Sequence, residues 1–282
     1  MDIAVSMWSL VSYARAGRID APGFVSYAAQ IGAQGVELLD VFWKDRDREL
    51  PRVMAALQES GLPVSAYAIG NDLVQPDAHE RARQVQSIRD GVDVAKQLGT
   101  NVLRVFSGNE RAGVSIEDGH RWIVDGLREG AAYAAQQTVT LALENHGLFA
   151  GRADQVRRIV GSVASPFLRA NIDTGNFLLV NQDPVDAARE LAPLAAYVHL
   201  KDFRAVRPDE QVEEAYTGLE GRRYVGTVIG AGDVDLRAVL AALRDAGYDG
   251  WLSIEYEGTG DARQGLEQSV QATQRLIEEV AA

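Results

Sequence analysis

The chain repeats one pattern eight times: a short run of apolar and β-branched residues, followed by a segment with helical spacing. The runs occupy residues 3–8, 35–39, 63–69, 101–106, 139–144, 168–173, 196–201 and 251–256. Alternating strands and helices predict parallel strands joined by helical crossovers, and eight such units match a closed (β/α)8 barrel. A doubly wound open sheet is the alternative. It usually has fewer strands, and Gly230-Ala231-Gly232 is a weak nucleotide-binding loop because it lacks a third glycine.

The segments between the runs carry helix start and stop signals. Asp20 and Asp183 stand at expected N-caps, and Pro184 is placed as a first helical residue. Four glycines fall just after helical segments, where a left-handed C-cap is needed. They are Gly32, Gly61, Gly99 and Gly247. One face of the last helix consists of Leu266, Val270, Thr273, Ile277 and Val280. These signals support the alternation of strand and helix.

The length and composition allow one large core. With 282 residues and 46% hydrophobic content, the chain fits either two modest domains or one barrel, and no linker favours two. The sequence therefore predicts an α/β fold, a single (β/α)8 TIM barrel over residues 1–282, with a loop insertion at about 203–232 after the seventh strand. The glycines of that insertion, with Arg222 and Arg223, form either a phosphate-binding loop or a flexible lid.

Several function classes are disfavoured by composition. The chain has no cysteine, which excludes disulfides and thiolate chemistry. The N-terminus lacks a basic region followed by an apolar block, and no apolar run approaches the roughly 20 residues of a membrane span. A cytoplasmic protein with no membrane partner is therefore expected. The net charge of −12 opposes phosphate-backbone binding, so no nucleic-acid partner is expected either.

Polar side chains end four consecutive strands of the predicted barrel. The strands five to eight end at Glu144, Asp173, His199 and Glu255. Because parallel barrel strands point their carboxyl ends at one mouth, these groups should converge. Three carboxylates and one imidazole in one place would repel one another or shift their pKa values strongly unless a cation lay among them. Three oxygen ligands and one nitrogen favour a hard to borderline divalent metal such as Mn²⁺, Mg²⁺ or Co²⁺.

Other polar residues near strand ends are less decisive alone. Glu37 and Glu257, taken singly, are equally compatible with a site residue and with the first solvated residue of a loop. His146, two positions after Glu144, is favoured as a substrate contact over a supporting or plain loop residue.

Lys201 shares strand parity with His199 and is expected to stabilise negative charge on the substrate. A salt bridge from Lys201 to Asp202 or Glu255 is the simpler alternative. Trp8 and Tyr67, near the ends of strands one and three, either form apolar walls for a sugar ring or pack in the core.

Four segments carry a resemblance to a known family. Ala-Leu-Glu-Asn-His-Gly, Asn-Ile-Asp-Thr-Gly-Asn, Val-His-Leu-Lys-Asp and Leu-Ser-Ile-Glu-Tyr-Glu, in this order, resemble the xylose isomerase-like TIM-barrel superfamily of sugar-phosphate isomerases and epimerases. The resemblance spans essentially the whole chain. It implies that Glu144, Asp173, His199 and Glu255 bind one divalent cation, usually Mn²⁺ with Mg²⁺, Co²⁺ or Zn²⁺ as alternatives. It also implies that Glu144 and Glu255 act as the acid/base pair.

Two positions depart from the ketose 3-epimerases of that superfamily. These carry a histidine three residues after the metal-binding aspartate, where this chain has Asn176, and an arginine shortly after the histidine ligand. Arg204 is one residue off that spacing. Asn176 and Arg204 are retained as candidate substrate contacts, but the departures leave inosose dehydratase-like and C-glycoside deglycosidase-like lyases open. Endonuclease IV fits poorly because its zinc cluster needs many histidines, and this chain has four.

The expected function is a metal-dependent isomerase or epimerase of a sugar or polyol. The reaction would begin with proton abstraction next to a metal-bound carbonyl and pass through an enediolate, with Lys201 supporting the oxyanion. A lyase on the same path and a non-catalytic metal- or sugar-binding barrel are the alternatives. The substrate would be a small molecule, phosphorylated or free, and the sequence is compatible with a homo-oligomer.

Overall fold

A computed structural model describes residues 1–212 and 214–281. The strands are β1 Asp2–Ser6, β2 Gly35–Leu39, β3 Val64–Ala68, β4 Val102–Val105, β5 Thr140–Glu144, β6 Leu168–Asp173, β7 Ala195–Leu200, β8 Asp202–Ala205, β9 Tyr216–Thr217, β10 Arg223–Thr227 and β11 Trp251–Ile254. The helices are α1 Val11–Arg15, α2 Ala21–Gln30, α3 Arg46–Ser60, α4 Ala78–Gln97, α5 Ile116–Gln137, α6 Ala153–Val163, α7 Asn176–Leu179, α8 Pro184–Leu191, α9 Leu236–Asp245 and α10 Ala262–Ala281. Short 3₁₀ turns occupy Met7–Leu10, Asp40–Phe42, Ala192–Leu194 and Leu219–Gly221.

Eight parallel strands close into a barrel in the order β1-β11-β7-β6-β5-β4-β3-β2. The predicted (β/α)8 TIM barrel is therefore confirmed, and each predicted run overlaps one barrel strand. Some runs were predicted too long at their carboxyl ends. Trp8 lies in a 3₁₀ turn because the Ser6 hydroxyl accepts a hydrogen bond from its backbone N–H and caps that turn. Glu255 lies one residue beyond β11.

The strand register determines which side chains meet at the mouth. Asp173 of β6 is in register with His199 of β7, and His199 is in register with Ser253 of β11. Next to β11 around the barrel, Ser6 of β1 is in register with Glu37 of β2. Partners in register point to the same side of a sheet, so these residues share the barrel interior.

The predicted helix signals are confirmed. The Asp20 carboxylate accepts from Gly23 N at 2.9 Å, and the Asp183 carboxylate accepts from Val185 N and Asp186 N at 2.9 Å. All four predicted C-cap glycines have positive φ, including Gly61 at +70°. On the apolar face of α10 four of the five side chains are buried and Ile277 is half-buried against the core.

The segment after β7 contains a small sheet of its own. Strand β10 pairs antiparallel with both β8 and β9. The predicted insertion at 203–232 thus holds ordered strands, although residue 213 lies outside the described part of the chain. The extent of the insertion and the single domain over 1–282 stay predictions.

The glycines of this segment already bind a carboxylate. Asp202 accepts from Gly230 N and Gly232 N at 2.9 Å and from Val234 N at 3.3 Å. Burial raises the pKa of Asp202 to about 6, against the effect of these donors. A side chain at position 232 would collide with Asp202, since an added Cβ would lie 2.1 Å from its Oδ1. The Gly230 and Gly232 amides are therefore not available to a phosphate.

Within the described residues, no helix combines the length and the apolar character needed to cross a membrane.

Replacing Asp202 tests this loop anchor. We expect Asp202→Ala to lower the free energy of unfolding by about 2–4 kcal/mol, because three backbone N–H groups lose their acceptor. Urea denaturation measures the change. Asp209→Ala is the matched control because Asp209 is exposed and accepts no hydrogen bond from the described residues. Equal stabilities of the two variants would contradict this anchoring role.

Candidate active site

Three side chains meet at the mouth of the barrel with their ligand atoms facing one another. The ligand atoms of Glu144, Asp173 and His199 all lie within 4.8 Å of one another. His199 Nδ1 is 3.4 Å from Glu144 Oε2 and 4.0 Å from Asp173 Oδ2. All three residues are buried. Strands β5, β6 and β7 thus bring together three of the four residues that the sequence placed in one cluster.

The fourth residue, Glu255, lies beside this cluster. Its Oε1 is 4.0 Å from His199 Nδ1, and its Oε2 is 2.5 Å from Lys201 Nζ. Lys201 Nζ is also 2.9 Å from Asp173 Oδ2. The buried ammonium therefore joins two carboxylates. Of the two ion pairs considered for Lys201, the one with Glu255 is present, whereas Asp202 binds the loop amides.

Asparagine side chains hold the cluster carboxylates in place. Asn145 forms two hydrogen bonds with the Asp173 backbone, accepting from its N–H at 2.6 Å and donating to its carbonyl at 2.9 Å. Asn176, predicted as a substrate contact, donates through Nδ2 to Glu144 Oε1 at 3.3 Å. Its own backbone N–H donates to Asp173 Oδ1 at 3.0 Å. The structure therefore places Asn176 as a support for two cluster residues.

Arg104 is a buried cation that the sequence analysis did not select. Its Nε lies 3.2 Å from Glu144 Oε2, and its Nη1 donates to the Ile69 carbonyl at 2.7 Å. The only signal in the sequence was a charged residue inside the apolar run 101–106. That signal is weak because a strand residue can also point to solvent.

Glu37 has a larger role than its sequence context suggested. His199 Nε2 lies 2.9 Å from Glu37 Oε1, and Ser253 Oγ donates to Glu37 Oε2 at 3.0 Å. Glu37 is fully buried. A carboxylate that accepts from Nε2 fixes one ring proton there, so that Nδ1 is the nitrogen that faces the cluster. A bound cation would take the place of the second ring proton. The simple loop alternative for Glu37 is therefore wrong.

Glu257 is also more than a loop residue. Its Oε2 lies 3.6 Å from Lys201 Nζ, and its Oε1 accepts from Trp8 Nε1 at 2.5 Å. Trp8 thus reaches the edge of the mouth and also packs against the core, and its role as a substrate wall stays a prediction. Tyr216 of the inserted sheet lies on the same side, where burial and the negative charge of Glu257 raise its pKa.

The remaining predicted contacts divide between the mouth and the periphery. The ring of His146 is exposed, and its centre lies 4.8 Å from that of Phe106. The Arg104 guanidinium lies over the other ring, 4.0 Å from the centre of Phe106. His146 is therefore close to Glu144. Arg204 instead forms a bidentate ion pair with Glu210, with N–O distances of 2.8 and 2.5 Å. That pair holds Arg204 within the inserted segment.

Tyr67 points away from the cluster. An extra residue of β3 shifts the register beside Glu37, so that Tyr67 pairs with Leu38 and Leu103. Leu103 packs against Gly91 of α4, which defines the helix-facing side of the barrel. Tyr67 shares that side and is buried, so the structure places it in the core, one of the two alternatives that its sequence position allowed.

Burial tends to raise the pKa of each of the three cluster carboxyl groups, those of Glu144, Asp173 and Glu255, but the charged groups beside them differ. Burial raises the pKa of Asp173, and it raises that of Glu255 to about 7. For Glu144 the burial is outweighed by the positive charge of Arg104, so its pKa lies below the usual range. Glu144 is therefore held ionised, whereas Glu255 can exchange a proton near neutral pH.

The two cationic groups owe their charge to the carboxylates. Burial opposes protonation of His199, but Glu37 and Glu255 outweigh it and raise its pKa well above 6.5. Burial likewise opposes the charge of Lys201, and the carboxylates of Asp173 and Glu255 raise its pKa.

The donor set fits a divalent cation. Among the described residues, five carboxylates face only two permanent cations, Arg104 and Lys201. The carboxylates are those of Glu37, Glu144, Asp173, Glu255 and Glu257. Among the described residues no aligned hydrogen-bond donor reaches the buried Oδ2 of Asp173, even though Lys201 Nζ lies 2.9 Å away. A cation among these oxygens and the Nδ1 atom would reduce the negative charge.

Comparison with known proteins agrees with this geometry. The profile of the xylose isomerase-like TIM barrel family matches residues 25–276. The chain belongs to this family. It is 23% identical to the inosose dehydratase of Clostridium perfringens over 57% of this chain and 55% of that protein. It is 24% identical to the inosose dehydratase of Geobacillus thermodenitrificans over 93% and 90% of the two chains.

A solved family structure has the same fold. The xylose isomerase-like TIM barrel protein from Mycobacterium smegmatis, described in complex with magnesium, superposes with a TM-score of 0.77 at 14% identity and covers 100% of this chain and 98% of its own.

The contact between Glu37 and His199 can be tested by metal titration. We expect Glu37→Gln to weaken the binding of Co²⁺ to metal-free protein by about tenfold, because the amide lacks the charge that makes the imidazole a strong ligand. Isothermal titration calorimetry gives the affinity, and circular dichroism reports folding. Glu267→Gln, at an exposed carboxylate on α10, is the control. An unchanged affinity in a folded Glu37 variant would contradict the orienting role.

Proposed function

We propose that this protein is a metal-dependent enzyme that removes a proton next to a carbonyl group of a small sugar or cyclic polyol. The observation that carries the proposal is the buried pair of Glu255 and Lys201, 2.5 Å apart, beside the ligand cluster. A carboxyl group with a pKa of about 7 is suited to general acid–base catalysis at neutral pH.

Four residues would hold the metal: Glu144, Asp173 and Glu255 through carboxylate oxygens, and His199 through Nδ1. When bound, a divalent cation polarises a carbonyl group as a Lewis acid. The oxygen-rich donor set supports a hard to borderline ion, with Mn²⁺ as our first choice and Mg²⁺, Co²⁺ or Zn²⁺ as alternatives. The magnesium named with the Mycobacterium smegmatis structure supports a divalent ion in this fold.

The side chains divide the remaining work. We assign proton transfer to Glu255, whose Oε2 contacts Lys201 beside the ligand cluster, whereas Glu144, kept ionised by Arg104, serves mainly as a ligand. This refines the expectation that both glutamates form an acid/base pair. Lys201 places a positive charge where the carbonyl oxygen becomes negative, and that interaction strengthens along the reaction path. His146 and Trp8 line the mouth and would contact the substrate.

Elimination and isomerisation both begin with this proton abstraction. The relatives named inosose dehydratases support elimination of water from a cyclic keto-polyol. Isomerisation or epimerisation is the second candidate. It is supported by the presence of two carboxylates near His199 Nδ1, Glu144 at 3.4 Å and Glu255 at 4.0 Å. A barrel that only binds is disfavoured because both candidate acid/base glutamates, Glu144 and Glu255, are present.

Proton exchange tests the shared step. Incubation of the Mn²⁺-loaded protein with inosose, or with a ketose such as fructose, in D₂O should place deuterium next to the carbonyl of substrate or product. We expect Glu255→Gln to slow this exchange by about 10²-fold or more while much of the metal is retained, because an amide oxygen can bind metal but cannot accept the proton. Mass spectrometry follows the label, and elemental analysis gives the metal content.

Glu267→Gln again serves as the control and should exchange at the wild-type rate. A Glu255→Gln variant that exchanges as fast as the wild type would overturn the role of Glu255. Turnover with the substrate C–H bond retained, without label and without a substrate-deuterium isotope effect, would overturn the whole proposal. Product analysis then separates the dehydratase from the isomerase.

A further inference from the structure

A large cleft opens beside the mouth of the barrel. Its volume is about 900 Å³, and it lies between the segments that follow β1 and β2 and the first turns of α2, α3 and α10. All of these segments belong to the end of the barrel that carries the ligand cluster. The volume is at the upper end of what small-molecule sites use and exceeds the needs of one sugar ring. We call it the Trp8 cleft, since Trp8 lies in its wall.

The cleft is positively charged in an acidic protein. The whole chain has a net charge of −12, yet the lining contains five cations and two carboxylates. The cations are Arg15, Arg18, Lys44, Arg52 and Arg263. The carboxylates, Asp20 and Glu49, are already engaged. Asp20 pairs with Arg52 at 2.9 Å, and Glu49 accepts from the backbone N–H groups of Lys44 and Asp45.

Four of these cations form no salt bridge with any described residue, and two of the four, Arg18 and Arg263, lie over the ring of Tyr13. Within the part of the chain that the structure describes, neither Arg15 nor Lys44 forms a salt bridge, and both are exposed. The Arg15 guanidinium lies 5.7 Å from the centre of the Trp8 ring. The ring of Phe42 lies 6.3 Å from that of Trp8, and Val41 is 59% exposed in the same lining. The cleft thus combines an apolar wall with two available positive charges.

Trp8 connects this cleft to the ligand cluster. Its Nε1 donates to Glu257, whose other oxygen lies 3.6 Å from Lys201 Nζ. Lys201 in turn contacts Glu255 and Asp173. A substrate that lay against Trp8 would have the ligand cluster at one end and the cleft at the other. The Gly230 loop offers no such anion site, since Asp202 occupies its amides.

We propose that the Trp8 cleft binds an anionic group of the substrate, a phosphate or a carboxylate, through Arg15 and Lys44. The neutral part of the substrate packs on Trp8 and Phe42, and the carbonyl end reaches Glu255 and Lys201. This assignment rests on the proposed function and names its substrate class as an anionic sugar or polyol derivative. Because the two cations are exposed, salt screens the attraction, and binding weakens as ionic strength rises.

Binding of matched sugars tests the cleft. The probes are glucose 6-phosphate, glucuronate and neutral glucose, each titrated calorimetrically into Mn²⁺-loaded full-length protein at low salt. We expect at least one anionic probe to bind about tenfold more tightly than glucose, the scale of two exposed ion pairs. The double variant Arg15→Gln/Lys44→Gln should lose that ratio while it retains metal and affinity for glucose. Whether the phosphate or the carboxylate is preferred identifies the source of the anion.

The control is Arg121→Gln/Arg189→Gln, which removes two exposed cations elsewhere and should keep the ratio. An anion that bound only to the metal would still bind more tightly than glucose in the Arg15/Lys44 variant. That result would contradict the proposed anion site in the cleft. So would equal affinities of all three probes in the wild type. Deuterium exchange is scored separately. If the Arg15/Lys44 variant loses the preference for the anionic probe over glucose and the wild type shows no deuterium exchange, the cleft is supported and the catalytic proposal is rejected. If the wild type exchanges deuterium and the variant keeps that preference, the catalytic proposal is supported and the cleft is rejected.

Discussion

The imidazole of His199 is the group on which the site depends. One ring nitrogen faces the carboxylates of the cluster, and the other contacts Glu37 at 2.9 Å. Buried charges are tolerated only when they are paired and hydrogen-bonded, so Glu37 needs both His199 and Ser253. The barrel register supplies this arrangement because Asp173 and Ser253 flank His199 on the neighbouring strands.

Two buried cations, Arg104 and Lys201, lie beside Glu144 and Glu255, and the pKa values of these two glutamates differ. Arg104 lies against Glu144 and lowers its pKa, whereas burial raises that of Glu255 to about 7 even with Lys201 beside it. One glutamate is thereby suited to hold a cation and the other to exchange a proton. The same crowding of negative charge that favours a metal also keeps Lys201 protonated, which suits it to meet an oxyanion.

The two sides of the mouth are built differently. On the side of β7, Asp202 accepts hydrogen bonds from the backbone N–H groups of Gly230 and Gly232 and so anchors the inserted segment. Arg204 forms an ion pair with Glu210. On the side of β1 and β2, the cations around Trp8 outnumber the carboxylates. On this second side Arg15 and Lys44 form no salt bridge with any described residue, which is the basis of the proposed anion site.

Local sequence determined the strands, the helix caps and the place of Glu144, Asp173 and His199, because these depend on periodicity and on polar residues at strand ends. It did not assign Glu37 or Arg104, since a polar residue inside a strand has the same pattern whether it faces water or the barrel interior. Only the tertiary structure decided this, by joining Glu37 to a histidine 162 residues away. It also decided the side taken by Tyr67, because one extra residue in β3 changes which side chains point inward.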